Sequence, residues 1–222
     1  LIEVVVSVNK WEQKLNEVPN KITKINKTEI IRNNPQTAAD LLGQTGTVFI
    51  QKSQLGGGSP MIRGFATNRI LLVIDGVRMN NAIYRSGNLQ NIISIDALGT
   101  QTAEVIFGPG SLIYGSDAIG GVMDFHSLNA GFSKDKKMLV SGSALARYST
   151  ANKENTFHAD INLGFKRWSL LSSVTYSKFD DLKMGKHGGQ SSYLRPEYVE
   201  RINGIDSIVK NSNSRIQRFS GY

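Results

Sequence analysis

The feature that most constrains this chain is the alternation of apolar and polar residues between Phe157 and Ser177. Two alternating runs are separated only by Lys166 and Arg167. A period of two predicts strands with one apolar and one polar face. Each run has about the 9–11 residues that a tilted membrane-spanning strand needs. A half-buried hairpin of a soluble β-sandwich shows the same period, so this stretch alone leaves both alternatives open.

Composition excludes several other classes of protein. The longest apolar run, Ile70 to Ile74, is far shorter than the roughly 20 residues of a membrane-spanning helix. Cysteine is absent, which excludes disulfide frameworks and thiolate zinc sites. The net charge is +8, and residues 130–222, with 15 basic and 8 acidic side chains, carry most of it. Because the basic residues are scattered and not clustered with aromatic residues, no nucleic-acid binding is predicted.

The residues before the alternating runs predict a small α+β domain in which short strands and single helical turns interleave. The segment that follows Val8 is charged and helix-breaking, and Thr37 is predicted to cap a helix that begins at Ala38. A buried strand is predicted over Arg69–Ile74, ending at the turn Asp75-Gly76. Further strands are predicted at Thr102–Phe107 and Gly121–His126, with helical turns at Asn91–Leu98 and Ser111–Tyr114. Asp75 and Asp124 are expected at strand ends, in ordinary turn or salt-bridge roles.

No motif predicts catalysis. The loop Gly110–Ser116 has the glycine spacing of a phosphate-binding loop, but Ser116 and Asp117 stand where that loop requires lysine and a hydroxyl residue. The three histidines are far apart and lack the paired spacing of metal ligands: His126, His158 and His187. We therefore predict no catalytic residue and no metal site, and we do not expect an enzyme.

Four glycine-containing motifs follow one another at residues 62–65, 72–77, 103–111 and 114–122. Their order and spacing resemble the plug domain of TonB-dependent outer-membrane receptors, over residues 35–127. The resemblance rests on Arg63, Gly64, Asp75, Gly76, Glu104, Gly108, Pro109, Gly115, Gly120 and Gly121. Glycine turns suit a plug because they allow close backbone approach. Arg63 and Glu104 are expected to make charge-assisted contacts, either within the plug or to the barrel wall.

The resemblance implies an α+β plug domain inside a transmembrane antiparallel β-barrel of about 22 strands. Residues 1–8 would be a TonB box-like segment, residues 9–129 the plug domain, and residues 130–222 the N-terminal part of the barrel, with about its first three or four strands. Because so few strands cannot close such a barrel, we expect the chain to be one piece of a receptor. The remaining strands would lie downstream or on a companion chain.

The family also implies a location and a partner. The receptor would lie in the outer membrane of a Gram-negative bacterium, in contact with lipid and lipopolysaccharide, with its N-terminus in the periplasm. TonB, with its inner-membrane energising complex, would contact Glu3, Val4, Val5, Val6 and Ser7. An extended β-branched segment of this kind can join the edge of a partner's sheet.

By similarity to the family, the expected transported ligand is an iron chelate or haem, and no permanently bound cofactor is expected. The ligand-facing apices of the plug would carry Gln54, Asn68, Asn80, Asn81, Tyr84 and Arg85. None of these apices has the histidine that a haem receptor would favour. The competing hypothesis is a non-transporting, β-rich binding or adhesion module.

A periplasmic N-terminus also predicts the direction of each strand. The first strand, near Met138–Ser149, would run outward, and Lys166-Arg167 would be a periplasmic turn. Residues 151–155 would form a short external loop and residues 181–212 a long one. The apolar faces would contribute Phe157, Trp168 and Tyr176 to interfacial aromatic girdles.

Overall fold

A computed structural model of the chain describes residues 4–5, 13–14, 17–52, 58–66, 69–79, 91–116, 118–134, 137–180 and 197–210. The chain divides into two compact units. One comprises Leu1–Ser141 with Asn162–Ser172, and the other Gly142–Ile161 with Ser173–Tyr222. Within the described ranges, no helix is long and apolar enough to cross a membrane.

The N-terminal part of the chain alternates short strands and helices, as the sequence predicts. Its elements are β1 (Val4–Val5), β2 (Gln13–Lys14), β3 (Ile22–Asn26), α1 (Lys27–Asn33), α2 (Ala38–Gly43), β4 (Phe49–Gln51), β5 (Ser59–Ile62), β6 (Phe65–Ala66), β7 (Ile70–Ile74), β8 (Val77–Arg78), a 3₁₀ helix (Asn91–Ser94), β9 (Thr100–Phe107), α3 (Ser111–Tyr114) and β10 (Gly121–Ser127).

A five-stranded sheet in the order β3-β9-β10-β7-β8 organises the first unit. Its β10–β7 pair is parallel, and the other pairs are antiparallel. One face packs through Ile70, Val105 and Met123 into a core shared with α1 and α2. The opposite face forms a smaller core that includes Ile106 and Tyr114. Because both faces are covered, the central strand β7 is a continuous apolar run, Ile70–Ile74.

Capping boxes begin both helices of the larger core. Thr37 precedes α2 and accepts a hydrogen bond from the Asp40 amide, while the Asp40 carboxylate accepts from the Thr37 amide. The prediction of a Thr37 cap is confirmed. Asn26 and Glu29 make the same reciprocal pair at the start of α1. That helix and strand β3 lie where the sequence predicted only charged, helix-breaking residues, so this prediction was wrong.

A second, three-stranded sheet follows in the order β11-β12-β13, made of β11 (Leu139–Ser149), β12 (Glu154–Gly164) and β13 (Ser169–Lys178). These strands match the predicted alternating runs in position and length. Side-chain contacts between Thr156 and Ser177, and between His158 and Thr175, show that β12 and β13 run antiparallel. In the described part of the chain this sheet is open, as expected for the first strands of a barrel.

The residues predicted to form one long external loop contain a further hairpin, β14 (Glu197–Ile202) and β15 (Ile205–Lys210). Asn203 and Gly204 connect its strands with φ of 51° and 82°. Two successive positive φ values are typical of a type I′ hairpin turn. The segment predicted as a long external loop therefore contains regular structure over residues 197–210, and its external position stays a prediction. The predicted fourth barrel strand lies outside the described residues.

Candidate functional site

A row of charged residues crosses the smaller-core face of the five-stranded sheet. Strand register places Lys24 of β3 opposite Glu104 of β9, and Glu104 opposite Asp124 of β10. Asp124 in turn lies beside Val73 of β7, which pairs with Arg78 of β8. Directly opposed residues share a face, so all five side chains point to the same side of the sheet.

The two carboxylates of this row are buried. Glu104 and Asp124 are 1% and 4% exposed. The Lys24 Nζ lies 3.9 Å from Glu104 Oε1, and the Tyr114 hydroxyl donates to Asp124 Oδ2 over 3.1 Å. The other oxygen, Oδ1 of Asp124, is buried without a hydrogen-bond partner among the described residues. Buried charges require compensation: Lys24 lies beside Glu104, and the His126 ring nitrogen Nε2 lies 3.8 Å from Asp124 Oδ2.

This crowding changes the proton affinity of Asp124. Its pKa is raised to about 6, mainly by burial and also by the nearby carboxylates of Glu104 and Asp75, although His126 and the Tyr114 hydrogen bond act in the opposite direction. Burial, together with Asp124, raises the pKa of the Tyr114 phenol, which therefore stays a hydrogen-bond donor. The row of charged residues can therefore hold a proton on Asp124 as well as the ion pair between Lys24 and Glu104.

The motif residues meet where β9 ends and β10 begins. Gly108 donates to the Gly120 carbonyl over 3.3 Å, and Gly120 donates to the Arg69 carbonyl over 2.7 Å. A Cβ on Gly120 would lie 2.4 Å from the Phe65 Cβ. Only glycine fits this position, which explains why a glycine pair opens the strand. The Arg63 guanidinium lies 5.8 Å from the Phe107 ring centroid, within cation–π range.

The remaining motif residues occupy turns. Asp75 and Gly76 form the predicted turn between β7 and β8, with φ of 48° and 82°. The Asp75 carboxylate also accepts a hydrogen bond from the Ser127 amide, which ties this turn to the end of β10. Asp124, expected at a strand end, lies within β10 instead. Arg63 and Gly64 form the β5–β6 turn, Gly108 and Pro109 follow β9, Gly115 follows α3, and Gly121 begins β10.

In the second unit, one face of strands β11–β13 carries a hydrogen-bonded polar ladder. The Arg147 guanidinium donates twice to Glu154 Oε1, over 2.9 and 2.6 Å, and both side chains are at least nine-tenths buried. Thr156 donates to the same oxygen over 2.7 Å. His158 lies 2.6 Å from Thr175 Oγ1 and 3.3 Å from Asp160 Oδ2.

The opposite face of the same strands is apolar and exposed. Phe157, Val174 and Tyr176 are 56%, 65% and 60% exposed. Here the polar side chains are buried and the aromatic and aliphatic ones are exposed. In a strand of a soluble β-sandwich the apolar face is buried and the polar face is exposed. The arrangement observed here is the pattern of a strand in a membrane barrel.

Comparisons with known proteins agree with the glycine motifs of the first unit and with the apolar outer face of strands β11–β13. Residues 14–122 match the family model of the TonB-dependent receptor plug domain. Two curated relatives are vitamin B12 transporters BtuB of Vibrio vulnificus. The CMCP6 protein is 37% identical, with 69% of this chain and 24% of the relative aligned. The YJ016 protein is 35% identical, with 91% and 37% aligned. The chain belongs to the TonB-dependent outer-membrane receptors.

Solved structures of receptors show the same fold. The copper transporter OprC superposes with a TM-score of 0.60 at 20% identity, covering 72% of this chain and 24% of OprC. The alcaligin receptor FauA of Bordetella pertussis gives 0.60 at 14% identity, covering 80% and 30%. The TonB-dependent receptor described here therefore consists of a plug domain and the first barrel strands, in the outer membrane of a Gram-negative bacterium. The chain spans about a quarter to a third of these relatives.

The receptor's predicted TonB box is described only at its centre. Val4 and Val5 form β1, which pairs antiparallel with Lys14 and Gln13 of β2. The other box residues, Glu3, Val6 and Ser7, lie outside the described residues. The same holds for every predicted ligand-facing residue, Gln54, Asn68, Asn80, Asn81, Tyr84 and Arg85.

Sequence reasoning missed most of the charged row. It singled out Glu104 but neither Lys24 nor Tyr114, and it gave Asp124 only an ordinary turn or salt-bridge role. A signal was present, because Glu104 and Asp124 each stand between apolar neighbours, Ala103 and Val105 in β9 and Met123 and Phe125 in β10. A charged residue in a buried strand requires a partner, although the sequence does not say which one. The described residues contain no cluster of three or more side chains able to hold a metal ion.

Proposed function

We propose that the complete receptor carries a scarce metal-chelate nutrient across the outer membrane, with energy supplied through TonB. The observation that carries this proposal is the plug-domain match over residues 14–122 followed by strands with an apolar outer face. Receptors of this family interact with TonB. A plug-domain fold followed along the chain by strands with an apolar outer face supports a gated path through a barrel.

We infer that the first ligand to test is vitamin B12. The two relatives named as vitamin B12 transporters are 37% and 35% identical to this chain, whereas the alcaligin receptor is 14% identical. The higher identities favour a cobalt corrinoid. An iron chelate or haem is the second candidate, supported by the fold shared with receptors for alcaligin and ferripyoverdine. No permanently bound cofactor is part of this proposal.

TonB is proposed to pair with the box through backbone hydrogen bonds. Strand β1 has one neighbour, β2, so in the described part of the chain its other edge carries no strand. An added TonB strand would extend this two-stranded sheet without breaking the β1–β2 pair. Strand addition of this kind draws its affinity from main-chain hydrogen bonds, which suits the short β-branched segment Val4-Val5-Val6.

Uptake by cells that lack their own receptors tests the function. The complete receptor should accumulate radiolabelled cyanocobalamin in a strain with TonB and only bind it at the surface in a strain without TonB. Ferric siderophores and haemin serve as the competing ligands in the same assay. Surface binding that never becomes TonB-dependent accumulation, for any of these ligands, would instead support the non-transporting binding module.

The proposed apices can be tested in the binding arm alone. Replacing Tyr84 and Arg85 by alanine should weaken ligand affinity. Receptor abundance in the membrane should stay unchanged, because substitutions at a solvent-facing apex, the position proposed for both residues, usually cost within about 0.5 kcal/mol of stability. Alanine at Lys210, an exposed position of β15, is the control. Affinity equal to that of the unmodified receptor would remove this segment from the ligand site.

A further inference from the structure

The outward face of strands β11–β13 contains an apolar groove of about 430 Å³. Small side chains line its centre, Ala144, Ala146 and Ala159, and larger ones border it, Phe157, Val174 and Tyr176. All of these residues belong to the second compact unit. The groove exists because alanines on β11 and β12 stand next to aromatic residues on β12 and β13.

The groove opens on the side of the sheet opposite the polar ladder. Ser143 and Arg147 of β11 bond to Asp160 and Glu154, so the even-numbered residues between them point the other way. The residues that border the groove, Phe157, Val174 and Tyr176, are each more than half exposed. In a receptor whose barrel strands cross the membrane, this face meets lipid hydrocarbon.

Basic side chains lie at one end of the groove. Lys178 is exposed and lies two residues beyond Tyr176 on the same face of β13, about 7 Å further along the strand. Lys153, in the turn after β11, is half exposed and pairs with Asp180 over 3.0 Å. Among the described residues at this end, Lys153, Lys178 and Asp180 sum to one positive charge, and the Arg147–Glu154 pair on the opposite face adds none.

We propose that this groove holds one acyl chain of a lipid A molecule, the membrane anchor of lipopolysaccharide, whose phosphate lies at Lys178. The occupant follows from the combination of an apolar groove with a cationic end. Because β11 follows a plug whose N-terminus is periplasmic, the turn at residues 150–153 lies at the outer surface, where lipid A forms the leaflet. The site does not depend on which nutrient the receptor transports.

Photo-crosslinking in intact cells tests the site. The probe p-benzoyl-L-phenylalanine replaces Tyr176, an aromatic residue at the border of the groove, in the complete receptor, and Leu170 as a control. Leu170 is 54% exposed and lies near the opposite end of β13. After irradiation, adducts are identified by mass and by reaction with an antibody against lipopolysaccharide. Position 176 should give a lipopolysaccharide adduct, and position 170 should not.

The charge reversal Lys178→Glu tests the phosphate contact. A basic residue near an anionic membrane surface contributes about 1 kcal/mol, so removing it should reduce the adduct at position 176 about fivefold. Lys210→Glu, an exposed lysine of the β14–β15 hairpin, should leave the adduct unchanged. Ala159→Phe, which fills the groove, should also reduce it, whereas Leu170→Phe should not.

Only receptors that show the heat-dependent gel shift of a folded barrel are compared, so loss of folding does not imitate loss of the site. Phospholipid adducts alone at position 176 would overturn the proposal. Equal lipopolysaccharide adducts at positions 176 and 170, unaffected by Lys178→Glu, would show an unselective lipid contact and overturn it too.

Discussion

Asp124 lies directly opposite Glu104 in the antiparallel pair β10–β9, and both carboxylates are buried. Like charges in this arrangement repel each other across the sheet. Lys24 compensates Glu104, and Tyr114 donates to Asp124. The stability of the Glu104–Asp124 pair therefore depends on whether Asp124 is protonated and on Lys24 of the neighbouring strand β3.

The proton on Asp124 should make plug stability depend on pH. An aspartate in an unfolded chain has a pKa near 3.9, whereas that of Asp124 is raised to about 6. A raised pKa stabilises the fold fully below about pH 4, and this contribution is lost as the pH rises through 6. The difference in stability between the native receptor and Asp124→Asn should therefore change by about 2 kcal/mol between pH 4 and 7.

Hydrogen-exchange protection of the β9 and β10 amides, corrected for intrinsic exchange, measures this change in the detergent-solubilised receptor. Asparagine keeps an acceptor for the Tyr114 hydroxyl, so the variant should fold. Asp206→Asn, at an exposed position of β15, should follow the native pH dependence. Parallel pH profiles for the native protein and Asp124→Asn would show that this carboxyl does not titrate in the predicted range.

Lys24 should stabilise the sheet mainly by compensating Glu104. Lys24→Met leaves a buried carboxylate without its cation, which should cost about 3 kcal/mol in the protection of β9. The double variant Lys24→Met with Glu104→Gln should recover most of that loss, since no buried charge is then left uncompensated at Glu104.

The exposed pair Lys153–Asp180 is the matched control, with both side chains 52% exposed. Its removal by Lys153→Met should change stability by less than about 1 kcal/mol. If the losses from Lys24→Met and Glu104→Gln simply add, the two side chains do not interact and the ion pair contributes nothing.

Strands β12 and β13 could be predicted because alternation of apolar and polar residues is a local pattern that can be recognised in the sequence. Both strands lie where that pattern placed them. Strand β3 was missed although Asn26 and Glu29 form a capping box that begins the next helix. The β14–β15 hairpin was not identified, although the Asn203-Gly204 turn is flanked by Ile202 and Ile205 and such a dipeptide is itself a hairpin signal.

The charged row could not be predicted for a different reason. Its members come from segments far apart in the chain, and strand β10 pairs in parallel with β7 and antiparallel with β9. Register between such distant strands depends on the whole sheet and not on any local pattern. The sequence shows that Glu104 requires a partner. Identifying Lys24 as that partner requires the strand register.

The box should be necessary for transport and unnecessary for ligand binding. Val4→Pro removes a backbone donor from β1 and prevents an added strand from pairing there. We expect uptake to be abolished and surface binding to remain at the native level. Lys14→Pro, in β2, is the comparison: if TonB adds to the other edge of β1, uptake should survive this change. Parallel loss of binding and uptake in Val4→Pro would contradict the assignment of the box.

The direction of the barrel strands gives the last prediction. With a periplasmic N-terminus, β11 runs outward and β12 inward, so the Lys166-Arg167 turn faces the periplasm and β13 runs outward again. The β14–β15 hairpin then lies outside the cell. Cysteine can be introduced at Asn203 and at Lys166, both in exposed turns, because the native chain has none. A membrane-impermeant maleimide added to intact cells should label Asn203→Cys and should label Lys166→Cys only after the outer membrane is permeabilised. Labelling in the reverse order would place β11 in the opposite direction and would also move the cationic end of the lipid groove to the periplasmic leaflet, where lipid A is absent.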